Sequence, residues 1–213
     1  MDKTIQIDTF SRFTRVSRET IYSLVKYEEL LVSANKRLNL IGDSTINNIW
    51  IRHFLDSFQL IDFISKNDRS IVDVGSGAGF PGLVLAIAAK ERNILAKINL
   101  IEKSPKKAKF LEGTIKELKL NVSVINRDVF KLQNKFKDDV FVARAFKPLE
   151  IILELIHNKV ENLKKFFIFL GKTGNTQLLQ ASKNWDIKYK QRISITENDS
   201  LILEVNKLKK KIE

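Results

Sequence analysis

The chain has no cysteine, one methionine and three prolines in 213 residues. Without thiols it can form no disulfide, no zinc-thiolate site and no cysteine nucleophile. The prolines are Pro81, Pro105 and Pro148, and none is adjacent to another. No apolar run approaches membrane-spanning length. The opening residues, Met1-Asp2-Lys3-Thr4-Ile5-Gln6, hold no apolar signal core, so a cytoplasmic protein is expected. Acidic residues are scarce relative to basic ones: 25 Asp and Glu face 37 Lys and Arg, a net charge of +12. That excess points to a polyanionic partner, nucleic acid first and an anionic membrane surface second. Lysine, isoleucine and asparagine are plentiful, so an AT-rich genome is a competing source of part of the charge.

Glycine is also sparse, but four of the eight glycines fall in one stretch, Asp73-Val74-Gly75-Ser76-Gly77-Ala78-Gly79-Phe80-Pro81-Gly82. The β-branched run before it reads as a strand, and the apolar run Leu83-Val84-Leu85-Ala86-Ile87-Ala88 after it reads as a helix. This is the first strand, turn and helix of a doubly wound α/β domain. A dinucleotide site wants Gly-x-Gly-x-x-Gly, but Phe80 stands at the position of the last glycine. No Lys-Ser/Thr pair follows, which excludes a Walker A loop. Asp-x-Gly-x-Gly-x-Gly instead resembles motif I of the S-adenosylmethionine (AdoMet) methyltransferases. Such a loop needs an acidic partner at the end of the second strand, to take ribose hydroxyls. Lys97-Ile98-Asn99-Leu100-Ile101-Glu102 supplies one in Glu102. The plainer reading leaves Asp73 and Glu102 as loop caps.

Along the chain, the first dozen residues show no period. Helical spacing begins at Ser17, a suitable N-cap, with Ile21, Leu24, Val25, Leu31 and Val32 on one face. A second helical stretch is predicted over residues 44–64. Its Arg52, His53 and Asp56 are close in sequence, and His53 and Asp56 share a face. They read as a buried hydrogen-bonded knot or, alternatively, as substrate contacts. Further elements are a helix over 105–118, strands over 122–125 and 139–143, a helix over 149–163, a strand over 166–170, and a final antiparallel pair before a basic end at 207–211. Lys103, Lys106, Lys107 and Lys109 crowd the start of the helix at 105, against its dipole, which favours a functional basic patch over a solvated turn. The division expected is a helical N-terminal extension over 1–66 and an α/β domain over 67–213, forming one compact unit.

Four stretches together resemble one family: Asn39-Leu40-Ile41, Arg52-His53-Phe54-Leu55-Asp56-Ser57, the glycine loop with Phe80-Pro81-Gly82 attached, and Arg144-Ala145-Phe146. The chain resembles the RsmG/GidB methyltransferases of bacterial small-subunit ribosomal RNA. The resemblance implies a Rossmann-like class I AdoMet-dependent methyltransferase fold with a mostly parallel sheet and an antiparallel last strand. It implies methyl transfer to N7 of a guanine in the 530 loop of 16S rRNA, with 16S rRNA or the 30S subunit as partner. Carried onto this chain, the cofactor contacts would be Gly75, Phe80, Asp128, Val129 and Arg144, alongside Asp73, Ser76, Gly77, Gly79 and Glu102 from the loop and second strand. Many members have Ala-Glu where this chain has Asp128-Val129, and Lys-Gly where it has Lys172-Thr173. Arg52, His53, Lys103, Lys106 and Lys107 are candidate RNA contacts. A monomer that needs no metal is expected.

The chemistry fits the absences. Guanine N7 offers a lone pair and has no proton to lose, so no general base is required. Pyrimidine C5 methylation commonly uses a cysteine, and amino-nitrogen methylation usually uses an Asp/Asn-Pro-Pro-aromatic turn; the chain has neither. For Arg144 two readings stand: an ion pair with a carboxylate such as Asp128, or a rigid fork on cofactor or guanine. The alternatives for function are methylation of another RNA, a small molecule or a protein, since fold does not fix substrate. A non-catalytic RNA-binding protein on this fold is a further one, which a measurement of AdoMet binding would separate.

Overall fold

The computed structural model describes residues 2–211. Its centre is a seven-stranded sheet in the order β3-β2-β1-β4-β5-β7-β6. The strands are β1 (Ser70–Val74), β2 (Lys97–Ile101), β3 (Val122–Ile125), β4 (Val140–Arg144), β5 (Lys165–Leu170), β6 (Trp185–Ser194) and β7 (Glu197–Lys210). The first five are parallel, and β7 runs antiparallel to both of its neighbours. Strands buried on both faces need near-continuous apolar sequence. In β4, Val140 and Val142 face one core while Phe141 and Ala143 face the other.

The helices are α1 (Lys3–Thr14), α2 (Arg18–Leu38), α3 (Asp43–Ile46), α4 (Asp56–Phe58), α5 (Gly82–Glu91), α6 (Pro105–Leu118), α7 (Leu149–Lys159) and α8 (Gly174–Asn184). Among the described residues none is long and apolar enough to cross a membrane. One face of the sheet is covered by α7 and α8, whose Leu153, Ile156, Leu178 and Ala181 join the same core as Phe166 and Leu203. The other is covered by α5, α6 and the N-terminal helices: Phe10, Leu24, Tyr27, Leu31 and Trp50 share a core with Leu83, Leu100, Val142 and Phe167. The side chain of Ser17 caps α2, and Glu91 at the end of α5 accepts the hydroxyls of Ser17 (2.7 Å) and Thr20 (2.5 Å).

Three stretches depart from the sequence reading. The stretch without a period is helix α1, which buries only Gln6, Phe10 and Thr14, a seam too narrow and too polar to register as amphipathic. The stretch at 44–64 is not one helix. It breaks into α3, a π-helical turn (Trp50–Leu55), α4 and a 3-10 turn (Gln59–Phe63). Every residue from His53 to Phe58 is buried, so the stretch has no solvent face, as in α5. The lysines at 207–210 are not a tail but the last rungs of β7.

Candidate active site

At the carboxyl end of β1 the chain turns through Gly75, Gly77 and Gly79, all at positive φ (74°, 57° and 100°). A side chain at Gly75 would also meet the ring of Phe146, whose nearest carbon lies 2.0 Å from an ideal Cβ. The turn is tied to β2 by its own amides. Those of Gly75 and Ser76 both donate to the carbonyl of Ile101, at 2.9 and 3.0 Å. That of Gly77 donates to Glu102 Oε2 at 2.9 Å, and Ser104 N–H donates to Oε1 at 2.7 Å. From the other side, the hydroxyl of Tyr27 on α2 donates to the carbonyl of Ala78 at 2.6 Å.

These elements frame a cavity of about 490 Å³ over the ends of β1, β2 and β4, where doubly wound folds hold their ligands. Of the residues singled out from sequence for cofactor contact, Gly75, Ser76, Gly77, Phe80, Glu102, Asp128, Val129 and Arg144 line it. His53, Lys103 and Lys107 line it too, whereas Asp73, Gly79, Arg52 and Lys106 do not. Asp73 lies behind the loop, wholly buried, with Oδ2 accepting from Gly82 N–H at 3.0 Å. Burial pushes its carboxyl up to about 7; the bonds from Gly82 and Ser76 oppose the rise and the charge of Glu102 adds to it. Arg52 forms an ion pair with Glu197.

Of the two readings of Arg144, the structure shows the ion pair, with Asp56 as the carboxylate in place of Asp128; Nη2 lies 3.0 Å from Oδ2. The same nitrogen donates to the carbonyl of Arg52 at 2.6 Å, and Nη1 lies 3.0 Å from His53 Nδ1. Both ends of the fork are therefore engaged inside the protein. The guanidinium carbon sits 5.8 Å from the ring centres of Phe80 and Phe169. His53 stacks on Phe80 (4.8 Å, 15°), and its Nε2 lies 2.9 Å from Thr45 Oγ1. Burial, then the charges of Arg144 and Arg52, lowers its pKa to about 3, so the ring is neutral. Since Arg144 donates to Nδ1, the proton is on Nε2 and points to Thr45.

Other lining residues had no assigned role from sequence: Leu40, Ile41 and Gly42, and also Phe130, Phe146, Arg127 and Lys147. Asn35 supports two of them, its side-chain oxygen accepting from the amides of Leu40 (2.7 Å) and Ile41 (2.9 Å). The stretches Asn39-Leu40-Ile41 and Arg144-Ala145-Phe146 carried the signal, but nothing in them said which way they face.

The family model for GidB, rRNA small subunit methyltransferase G, matches residues 20–203. The chain belongs to the GidB family. It is thus a methyltransferase, with two enzymes named ribosomal RNA small subunit methyltransferase G among its relatives. The one from Pelagibacter ubique is 38% identical over 198 residues, covering 92% of both chains. The one from Rickettsia felis is 39% identical over 195 residues, covering 92% of this chain and 97% of its own. Among solved structures, an MtNAS mutant in complex with S-adenosylmethionine shares the fold at a TM-score of 0.59 and 14% identity, covering 97% of this chain and 85% of its own. TYW2 of M. jannaschii in complex with AdoMet does so at 0.52 and 17%, covering 76% and 78%. The GidB fold of this chain is thus the Rossmann-like methyltransferase fold with a helical N-terminal part.

Proposed function

We propose that this member of the family transfers a methyl group from AdoMet to N7 of a guanine in the 530 loop of 16S rRNA. The residues present fit the donor. Each oxygen of Glu102 accepts one backbone N–H and keeps a lone pair for a ribose hydroxyl, and the cavity has the volume of a cofactor site. When bound, AdoMet supplies a methyl group on a positively charged sulfur, open to in-line displacement.

One observation carries the choice of acceptor: apart from Asp128, whose Oδ1 accepts from Phe130 N–H, the carboxylates and imidazole at the cavity are engaged by the protein. His53 is neutral and both ring nitrogens are engaged, Asp73 is behind the loop, and Glu102 is held by two amides. An acceptor that must lose a proton would find neither the imidazole nor a buried carboxylate ready to take it. Guanine N7 needs none, and what it requires of the protein is alignment with the methyl group. Phe130 and Phe146, stacked at 6.0 Å and 15°, offer an aromatic face beside the loop, and Lys103, Lys107, Arg127 and Lys147 surround it with positive charge.

The test has two arms. Mass mapping of 16S rRNA after incubation with the enzyme, as naked RNA and as 30S particles, is expected to find one methyl group on a 530-loop guanine. A methyl group elsewhere, or none, overturns the acceptor. In calorimetry Glu102→Ala is expected to weaken AdoMet by about tenfold or more, since a charge-assisted hydrogen bond contributes about 1.5–3 kcal/mol; unchanged affinity removes Glu102 from the site.

A further inference from the structure

A buried network joins the cavity wall to the C-terminal hairpin. Asp56 pairs with Arg144 through Oδ2. Its other oxygen, Oδ1, accepts from Ser194 Oγ at 2.7 Å, Gln59 Nε2 at 2.9 Å and Thr196 Oγ1 at 3.0 Å. Ser194 ends β6 and Thr196 lies in the turn to β7, about 140 residues along the chain from Asp56. Asp56 itself does not line the cavity, whereas Arg144 does.

The π-helical turn explains how three acceptors converge on one guanidinium. The amide of Asp56 reaches back five residues to the carbonyl of Ile51, and also bonds His53, but does not bond the carbonyl of Arg52. That carbonyl, the partner of Asp56 N–H in a regular α-helix, turns instead to Arg144 Nη2. The wider turn thus presents the Arg52 carbonyl, the His53 ring and the Asp56 carboxylate to β4 together. Such π-bulges inside helices recur at functional sites. The fork is fixed at both nitrogens and flanked by two phenyl rings, so the orientation of Arg144 is set by the carboxylate, and that of the carboxylate by the two hairpin hydroxyls.

We propose that Asp56 is a positioning residue, clamped by Ser194 and Thr196, that holds Arg144 in the cavity wall and thereby sets how tightly the cofactor is held. The proposal rests on the reading of the cavity as an AdoMet site. It makes the β6–β7 turn, which touches no part of the cavity, a determinant of the site.

The experiment is a double-mutant cycle read by calorimetric AdoMet affinity, with the unfolding midpoint of each ligand-free protein measured alongside. Asp56→Asn and Arg144→Gln are each expected to weaken AdoMet about tenfold, and the double variant no further than the worse single one, because the two residues act as one unit. Losses that multiply in the double variant, or unchanged affinity in folded Asp56→Asn, overturn the proposal. Should Asp56→Asn fail to fold, Thr196→Val decides. It removes one clamp and leaves the ion pair, so a loss of about threefold in affinity is expected, with Thr196→Ser restoring it. A lower unfolding midpoint with unchanged affinity would make the network structural and overturn the proposal. Absence of AdoMet binding by the wild type would instead fail the cofactor reading, and the proposal with it.

Discussion

Two buried groups, Asp73 and His53, respond to pH in opposite senses. Asp73, with its carboxyl raised to about 7, binds a proton in the folded state that the unfolded chain gives up above about 3.8. Its contribution to stability is full below about 3.8 and is lost as pH rises through about 7. His53, lowered to about 3, stays neutral where the unfolded ring, near 6.5, is protonated. Its contribution is full above about 6.5 and is lost as pH falls toward about 3. Between about pH 4 and 6.5 the two slopes, each about 1.4 kcal/mol per pH unit, oppose each other. Asp73→Asn removes one of them. Its stability is therefore expected to fall more steeply than that of the wild type below pH 6.5, by about 1.4 kcal/mol per unit, in urea titrations from pH 6.5 to 4.5; parallel curves would contradict this. At this scale the sequence singled out residues that line the cavity, Gly75, Ser76, Gly77 and Glu102 among them, because the loop spacing is short-range information. The place of Asp73 behind the loop, and the pairing of Arg144 with Asp56 across 88 residues, depend on which strands adjoin and leave no mark in local spacing.

Among the elements, α1 shows how one side chain can dock a helix. Phe10 is fully buried and meets Trp50 and Phe58 edge-on, each at 5.4 Å. Phe13, one turn on, is 64% exposed. Phe10→Ala is expected to cost about 3–5 kcal/mol in urea unfolding, against about 0.5 kcal/mol or less for Phe13→Ala. Equal effects would mean that α1 is not docked through Phe10. The same helix marks the limit of pattern reading: its buried seam of Gln6, Phe10 and Thr14 holds a single apolar residue, too few to show a period. Helix α6 was legible because Ala108, Leu111, Ile115 and Leu118 repeat at helical spacing; the first two are buried, the last two pack half-buried on the core, and Thr114 is buried beside them. Helix α8, with Gly174, Leu178 and Ala181 inward among polar residues, was not read at all. The break into a π-helical turn was illegible for another reason. Its cause is the convergence on Arg144, a tertiary demand.

At the scale of the whole molecule the charge of +12 is the dominant fact. Lys103, Lys107, Arg127 and Lys147 border the cavity, so on the proposed function RNA would be drawn to that side. If about six phosphates are neutralised, affinity for 16S rRNA is expected to fall by about three orders of magnitude between roughly 50 and 200 mM salt. Filter binding across that range checks it, and a flat salt dependence would return the charge to genome bias.

The sharing of one core by the N-terminal helices and the sheet has a consequence during synthesis. The partners of α2 and its cap are made late: the Ala78 carbonyl bound by Tyr27 comes 51 residues after it, and the Glu91 carboxylate bound by Ser17 comes 74 residues after it. At about 5–20 residues per second, the apolar faces of Leu24, Tyr27 and Leu31 wait several seconds for a surface to cover them. Helix α2 thus leaves the ribosome well before the surface that buries it, and in that interval its apolar face is a natural client for a chaperone.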